Sequence, residues 1–342
     1  MKHLGLVGGL VLLACIHPTA EARHPRFAEE TVDMAIVTLS PDEVAERTWR
    51  PALRPTWRDP TREETAGIQT LVPALLAAAT TGRVPAAVTA RAVAIGMVVE
   101  RWNVAGHEHL ALVEAPESRH GAGAYLFAVG RTAVAGGPWV LLEAPHAYFD
   151  VGTGRIAAAL YFTPPPGPAP LAFFTNTLHR YTQADGTRQK RDWNPADACH
   201  NREHLLAVAT TAAANAVPNV TVVQLHGFSS NGNDAGDPPA GTASVVSAGR
   251  ADGPTPLSRA TAASLRAPLG EGVRLFPVDA QVLGATTNVE MKALSAIPAT
   301  RFVHIELAPS VRDTLLAAPD RLAAFANALL TTASTPDAPD SP

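Results

Sequence analysis

The sequence predicts an α/β fold with three layers, in which helices cover both faces of a mostly parallel or mixed sheet. Short apolar runs such as Val220 to Gln224 and Phe302 to Glu306 alternate along the chain with longer helical stretches. The hydrophobic fraction is 46% of 342 residues, which is enough for the buried core of one large domain. Additional structure is expected in front of that domain.

The predicted regions follow one another along the chain. Residues 15–62 are rich in Pro, Arg and Glu, which indicates an extended tether with one short strand at Met34 to Leu39. Residues 63–137 form a predicted N-terminal α+β region. Residues 138–331 are the predicted core of the α/β domain. Residues 332–342 have the composition of a disordered tail.

The α+β region begins with two helices. Apolar spacing and alanine content predict them at Thr65 to Ala79 and Pro85 to Ile95, with Pro73 expected to kink or split the first. The strands expected after them are Met97 to Trp102, His109 to Glu114 and Ala124 to Val129. These strands form either a separate subdomain or the antiparallel edge of the main sheet. At the other end of the core, Pro309 to Thr331 is expected to be one closing helix.

Three side chains with metal-binding or basic character stand where apolar strands end. His146 follows the strand Trp139 to Glu143, His226 follows the strand that begins at Val220, and Glu306 closes a third strand. The carboxyl ends of strands are where ligands collect in open α/β sheets. The three residues therefore predict a single metal-dependent site.

Asp150 is the candidate third ligand of that site. Pro145 stops the strand and the following glycines permit a tight turn, so Asp150 can fold back beside His146. Two imidazoles and one carboxylate make the ligand shell of a catalytic zinc site, with a fourth position for water. Glu306 is then the natural general base. The alternatives are that Asp150 caps the next helix and that Glu306 pairs with Arg312.

Further polar candidates lie on the loops at the same edge of the sheet. His179 and His200 are expected to stabilise an oxyanion or to protonate the leaving amine, or else to cap loops. Arg180 is expected to contact substrate. Arg312 is expected to pair with a substrate carboxylate, the alternative being a salt bridge to Asp313 or to the strand-end glutamate.

Three motifs, APHAYFDVGTG, VVQLHGF and FVHIELAPSVR, lie between Val140 and about Leu316. By these motifs the chain resembles the zinc-dependent carboxypeptidase-like hydrolases, nearest to the N-formylglutamate amidohydrolase and poly-γ-glutamate hydrolase branches. The resemblance implies one zinc ion held by His146, Asp150 and His226, with Glu306 as the base. It also implies the three-layer fold of the carboxypeptidase and phosphorylase-hydrolase type.

Asn201 and Arg202 stand where carboxypeptidases keep an Asn-Arg pair for the substrate carboxylate. One departure is that Asp150 lies four residues after His146, whereas carboxypeptidases place a glutamate three residues after the first histidine. The resemblance implies cleavage of an amide or peptide bond in a small peptide or glutamyl-type substrate. The alternative is an envelope lipoprotein with the same fold that binds a ligand or has a structural role without turnover.

The N-terminus predicts a location in the cell envelope. Residues 1–14 combine a positive start with an apolar run too short to span a bilayer, and Leu12-Leu-Ala-Cys15 resembles a lipobox. We expect a lipid-anchored chain that begins at Cys15, and Ile16 favours the outer membrane. The alternative is an ordinary secretory peptide cleaved near Ala20 or Ala22.

Charge and cysteine content narrow the remaining possibilities. A formal net charge of −4 predicts no basic face for nucleic acid. The chain has two cysteines, so a lipid-modified Cys15 leaves Cys199 without an internal disulfide partner. Cys199 is expected to be a small buried residue, with metal binding as the alternative.

Overall fold

A ten-stranded mixed sheet with helices on both faces forms the centre of the molecule. The computed structural model describes residues 30–49, 56–115, 119–133, 135–229 and 236–336. The predicted three-layer α/β fold is confirmed. Cys15 and the predicted signal sequence lie outside the described residues. Within the described ranges, no helix combines the length and apolar character that a bilayer crossing would require.

The elements are numbered in chain order. The strands are β1 (Thr31–Val32), β2 (Ile36–Leu39), β3 (Val84–Pro85), β4 (Met97–Val104), β5 (His107–Glu114), β6 (Ala124–Ala128), β7 (Trp139–Ala144), β8 (Ala172–Thr175), β9 (Val220–Gly227), β10 (Ser244–Ser247), β11 (Val273–Leu275) and β12 (Arg301–Leu307). The helices are α1 (Pro41–Trp49), α2 (Arg62–Thr81), α3 (Ala86–Ala94), α4 (Thr153–Phe162), α5 (Leu205–Ala216), α6 (Pro256–Leu269), α7 (Val289–Leu294), α8 (Pro309–Ala317) and α9 (Pro319–Ser334).

The order of the main sheet is β11-β10-β12-β9-β7-β8-β6-β5-β4-β2. Its central strands β8, β7, β9 and β12 are mutually parallel, so their carboxyl ends meet at one edge. Strands β4 to β6 continue the sheet in antiparallel fashion, which is the second of the two arrangements that the sequence allowed. Strand β2, inside the predicted tether, pairs with β4. The small strands β1 and β3 form a separate two-stranded sheet.

The alternation of side chains along the central strands builds two cores. On β9, Val223 and Leu225 face the layer of α1, α4, α6, α8 and α9, whereas Val222 faces the layer of α2, α3, α5 and α7. Both layers bury large side chains such as Phe325 of α9 and Leu75 of α2. The parallel strands are therefore covered on both faces, as their apolar sequences require.

Two prolines behave differently from one another. Pro73 lies inside α2, which continues through it, because the helix buries a long apolar face that includes Leu71 and Leu75. Pro319 separates α8 from α9, so the expected single closing helix from residue 309 to residue 331 is wrong. Ala318 is extended, with φ −125° and ψ 95°, as the residue before a proline prefers to be.

The N-terminus of α2 is fixed by a charged network around Glu64. The Thr61 amide donates to Glu64 Oε2 at 2.7 Å, and the Glu64 amide donates to Thr61 Oγ1 at 3.1 Å, which forms a capping box. Arg58 Nη1 donates to the same carboxylate at 2.9 Å, and His120 Nε2 lies 3.3 Å from it. Burial alone would raise the pKa of Glu64, but the hydrogen bonds with Arg58 and Thr61 and the positive charge of Arg58 outweigh it and lower the pKa to about 2.

We predict that Glu64→Ala lowers the free energy of unfolding by about 1–3 kcal/mol, because it removes both the helix cap and the partner of Arg58. The neighbouring Glu63 is largely exposed, so Glu63→Ala should change stability by less than about 0.5 kcal/mol. Urea unfolding at pH 7 measures both. The folded pKa of Glu64 is below its ordinary 4.5, so its charge-dependent stabilisation is present above pH 4.5 and is lost as the pH falls toward 2. Equal effects of the two substitutions would contradict this assignment.

Candidate metal centre

The chain folds into a compact turn between β7 and α4. The amides of Phe149 and Asp150 both donate to the His146 carbonyl at 2.8 Å, and Thr153 closes the turn on the Asp150 carbonyl. Gly152, with φ 94°, is the N-cap of α4 and adopts a backbone conformation that favours glycine. Asp150 is therefore not the helix cap. Its carboxylate turns back, and Oδ2 lies 3.7 Å from His146 Nδ1.

A second imidazole reaches the same carboxylate oxygen from β9. His226 Nδ1 lies 3.2 Å from Asp150 Oδ2, and the Gly227 amide also donates to this carboxylate. His146, Asp150 and His226 are each at most 4% exposed. Tetrahedral zinc with bonds of about 2.0–2.1 Å separates its ligand atoms by roughly 3.3 Å. The two measured separations from Asp150 Oδ2 are close to that spacing. Among the described residues, however, these three side chains are not one of the sets whose donor atoms all lie within 4.8 Å of one another, so a bound ion would have to draw the two imidazoles closer together.

Asp197 joins three cationic or hydrogen-donating side chains behind the cluster. His146 Nε2 lies 2.9 Å from Asp197 Oδ1, His200 Nδ1 lies 3.1 Å from the same oxygen, and Arg180 Nε donates to Oδ2 at 2.8 Å. Burial would raise the pKa of Asp197, but these three partners hold it well below its usual range. A carboxylate only accepts, so His146 Nε2 carries the hydrogen and Nδ1 presents its lone pair toward Asp150.

Burial sets the protonation of the cluster. It lowers the pKa of His146 to about 4 and that of His226 to about 3, with a further contribution from the positive charge of Arg180. Both imidazoles are therefore neutral at pH 7, which is the form that binds metal. In this structure His226 Nδ1 donates to Asp150, so a metal ion at Nδ1 would take the place of that hydrogen. Burial raises the pKa of Asp150, and burial together with the Asp150 charge raises that of Glu306. Two buried carboxyl groups near each other favour a cation between them.

Glu306 lies beside His226 because β12 and β9 are parallel and in register at these two residues. His304, two residues earlier, faces the same side, and its Nε2 lies 3.5 Å from Glu306 Oε1. Within the described part of the chain, Glu306 Oε2 and His304 Nδ1 have no hydrogen-bond partner although both are buried. Unsatisfied buried polar atoms are uncommon in folded proteins, and these two border the candidate metal centre.

A network of hydrogen-bonded polar side chains adjoins the cluster at β9. Gln224 Nε2 donates to Glu143 Oε2 at 2.7 Å, and Asn288 Nδ2 donates to Gln224 Oε1 at 2.8 Å. Thr210 of α5 also donates to Glu143. Burial raises the pKa of Glu143 to about 7. Gln224 precedes His226 by two residues on β9, so this network fixes the strand segment that carries the imidazole.

Two of the predicted substrate-binding residues lie beside the cluster. Arg180 Nη1 lies 3.5 Å from His146 Nδ1. His179 is half-buried next to Arg180 in the chain. Its Nδ1 accepts from the Tyr181 amide at 3.2 Å, and its ring is 5.5 Å from that of Phe149. The predicted general acid His200 is exposed and contacts Asp197 and Thr287 Oγ1, so it borders the cluster from outside.

Arg312 instead has a structural position. Its Nη1 donates to the carbonyls of Phe228 and Leu307. Within the described residues, it forms no ion pair with Glu306 or Asp313, the two alternatives considered from the sequence. The guanidinium packs against Gly227, where any Cβ would lie 2.2 Å from Nη1. Arg312 therefore fixes the end of β9.

Asn201 and Arg202 are not brought to the cluster. Asn201 Nδ2 donates to the Pro195 carbonyl at 2.8 Å and its Oδ1 accepts from the Glu203 amide at 3.0 Å, so its amide stabilises a turn. Arg202 is exposed and lines a cavity of about 1080 Å³ between α2 and α5, away from the histidines. The expected Asn-Arg carboxylate site is not assembled in this structure.

Sequence reasoning gave no role to Asp197 or His304, and it treated metal binding by Cys199 as an alternative only. His304 could have been found from the period of two along β12, because it shares a face with Glu306. Asp197 stands three residues before His200 in a turn, a spacing that can bring side chains together. His146 and Arg180, which contact Asp197, lie on loops distant along the chain, so sequence alone could not have shown these contacts.

In the part of the chain that the structure describes, two other groups of side chains could also hold a metal, and both include His226. One is His146, Cys199 and His226, and the other is His226, His304 and Glu306; in each, the donor atoms lie within 4.8 Å of one another. Cys199 Sγ faces His226 Nε2 at 3.7 Å, on the opposite side of the ring from Asp150. Burial raises the pKa of the Cys199 thiol, which opposes thiolate formation. Burial raises the pKa of Asp150 as well, so the choice between the two sides of His226 is made by the substitutions predicted below.

No protein-family model matches the chain, and no curated protein matches it in sequence. The crystal structure of a gene product from Agrobacterium tumefaciens aligns with a TM-score of 0.36 and 17% identity, covering 57% of this chain and 88% of that one. A putative metallopeptidase from Shewanella baltica OS155 aligns with a TM-score of 0.30 and 13% identity, covering 71% of this chain and 87% of that one. At these values neither similarity assigns a family or a function to this chain.

We predict that Asp197→Asn weakens zinc binding by about 10- to 100-fold, because it removes the carboxylate that fixes the His146 tautomer. Asp192→Asn, which changes an exposed carboxylate five residues earlier, should leave the affinity unchanged. Competition with a fluorescent zinc chelator measures both. An Asp197→Asn protein with unaltered zinc affinity would show that His146 is not held in this way.

We also predict that the donor set containing Asp150 can be distinguished by substitution from the set containing Cys199. Asp150→Asn and His146→Ala should lose bound metal, whereas Cys199→Ser should keep it. Cobalt substitution provides a second measurement, since a thiolate ligand gives a charge-transfer band that histidine and carboxylate ligands lack. A band of this kind that disappears in Cys199→Ser would show that the ion lies on the Cys199 side of His226 and not on the Asp150 side.

Proposed function

We propose that this chain is a zinc-dependent hydrolase that cleaves an amide or peptide bond in a carboxylate-bearing substrate. The observation that carries the proposal is the approach of two buried, neutral imidazoles, His146 and His226, to one buried oxygen of Asp150. Two histidines and a carboxylate are a common ligand set of hydrolytic zinc sites. Imidazole side chains also bind other transition metals. Zinc is the proposed ion because this ligand set is the one that hydrolytic zinc sites commonly use.

His146, Asp150 and His226 would hold the ion. When bound, zinc polarises the substrate carbonyl and lowers the pKa of water. Asp197 keeps His146 in the tautomer that presents Nδ1. The raised pKa of Asp150 without a cation indicates that a positive ion would relieve the cost of burying its charge.

Glu306 is the proposed general base. It stands next to His226 on the neighbouring strand, and its Oε2 has no hydrogen-bond partner among the described residues. In hydrolysis the oxygen of water bonds to the carbonyl carbon, and Glu306 accepts the proton that water releases. The carbon–nitrogen bond then breaks and Glu306 returns that proton to the leaving nitrogen. The products are a carboxylic acid and an amine.

Arg180 is the proposed donor to the carbonyl oxygen on which negative charge develops. It is held by Asp197 and lies 3.5 Å from His146 Nδ1, so its position is set before substrate arrives. Arg188 adds positive charge at the mouth: burial is the main cause that lowers the pKa of His179, and the charges of Arg188 and Arg180 lower it further. This positive potential is the support for a substrate with a carboxylate.

We further propose that the enzyme acts in the cell envelope on a small peptide or glutamyl-type compound, anchored by lipid on Cys15. The support is the sequence Leu12-Leu-Ala-Cys15 and the preceding apolar run. The proposed partners are therefore a membrane and a small substrate, without nucleic acid.

A second candidate function is binding without turnover. The guanidinium of Arg180 beside His146 Nδ1 opposes a cation at that atom, and this observation favours a polar cluster that binds ligand or stabilises the fold. A protein that holds no metal at saturating zinc and hydrolyses none of the amide probes would support this candidate.

We predict that Glu306→Gln keeps bound zinc and substrate affinity but lowers kcat by about 10²–10⁴-fold, the range for loss of general base assistance. The substitution hardly changes side-chain volume. Glu203→Gln is the matched control, because Glu203 is an exposed glutamate, and it should keep full kcat. Hydrolysis of N-formyl amino acids and dipeptides, with zinc content measured in each protein, provides the test. Full kcat in Glu306→Gln would assign the base to another residue, with His200 the next candidate.

A further inference from the structure

Three rings lie together on the segments that adjoin the proposed metal centre. The ring of Phe149 lies 5.5 Å from that of His179 and 5.1 Å from that of Tyr181, and the last two are 5.6 Å apart. Each pair meets edge to face, the arrangement that aromatic rings prefer. We define Phe149, His179 and Tyr181 as the aromatic rim.

The rim is held in place by the cluster itself. The Arg180 guanidinium lies over Phe149 at 5.2 Å and over Tyr181 at 5.4 Å, while its other atoms bind Asp197. Phe149 also belongs to the turn that returns Asp150 to His146. The rings therefore have a fixed position relative to the atoms that would cleave the substrate.

Apolar surface is exposed where the rim meets solvent. Phe149 is 39% exposed and Val151 is 73% exposed, and these two residues flank Asp150 in the chain. Leu316, 36% exposed, approaches the same turn at Gly152. Apolar side chains grouped at the mouth of a buried polar cluster are typical of a surface that a ligand covers.

Among the described residues, the arginines near the site form no buried pocket that could hold the carboxylate of an acidic side chain. Arg180 is paired with Asp197, and Arg312 donates to the backbone carbonyls of Phe228 and Leu307. Arg188 is exposed, and its positive charge acts on His179. This arrangement suits one carboxylate in solvent and an apolar group against the rings.

We propose that the aromatic rim is a side-chain subsite, and that the preferred substrates of the hydrolase proposed above carry an aromatic side chain next to the bond that is cleaved. The proposal rests on that function and adds the substrate class. Phe149 and Tyr181 determine specificity by contacting the substrate ring, and Arg188 attracts the neighbouring carboxylate. Of the two substrate classes proposed above, the glutamyl-type compound is therefore the less favoured, because its side chain would place a second charge against apolar rings.

The test compares kcat/KM for N-formyl-L-phenylalanine, N-formyl-L-alanine and N-formyl-L-glutamate. We expect the phenylalanine compound to exceed each of the others by about tenfold. Phe149→Ala should bring the phenylalanine-to-alanine ratio close to one, and Tyr181→Ala should reduce it. A change that only disturbs the neighbouring Asp150 would lower both rates together and keep the ratio. Trp193→Ala, which removes an aromatic side chain that is 56% exposed outside the rim, should also keep the ratio.

Equal rates in the unmodified protein, a preference for glutamate, or an unaltered ratio in Phe149→Ala would each overturn the proposal. A binding experiment separates its failure from failure of the hydrolase proposal, since it needs no turnover. Titration of the zinc-loaded protein with N-acetyl-L-phenylalaninamide and N-acetyl-L-alaninamide, followed by NMR, should show tighter binding of the first, and Phe149→Ala should remove the difference. Equal binding of the two amides would also overturn the aromatic subsite.

Discussion

The burial of the Asp150 carboxylate between two uncharged imidazoles is the constraint on which the proposed site depends. An isolated buried carboxylate is costly, and the pKa of Asp150 is raised accordingly. The buried Asp197 carboxylate does not have a raised pKa, because His146, His200 and Arg180 all donate to it. The two aspartates therefore differ in role: one orients an imidazole, and the other lacks a full counter-charge that a metal ion would supply.

The sheet provides the positions that this arrangement needs. Strands β7, β9 and β12 are parallel and in register, so His226 and Glu306 stand side by side and the β7 turn delivers His146 and Asp150 to the same edge. Buried packing on both faces keeps these strand ends fixed. A loop alone would not hold four titratable groups within a few ångströms of one another against their mutual electrostatic cost.

Much of this arrangement could be predicted from the sequence because it depends on local patterns. Apolar strands followed by polar residues predicted that the candidate side chains meet at one edge of the sheet. The glycines after Asp150 predicted the tight turn that brings Asp150 back toward His146. The interpretation of Asn201 and Arg202 relied on resemblance alone, and their side chains stabilise a turn or face the α2–α5 cavity instead. Asp197 escaped notice because its importance comes from partners that are distant along the chain.

Location of a bound ion by anomalous X-ray diffraction tests the central claim most directly. Crystals grown with zinc and measured on both sides of the zinc absorption edge should give one strong peak in contact with His146 Nδ1, His226 Nδ1 and Asp150 Oδ2, beside Glu306. A peak between Cys199 and His226 Nε2, a peak confined to His304 and Glu306, or the lack of any peak in the cluster at saturating zinc would contradict the account.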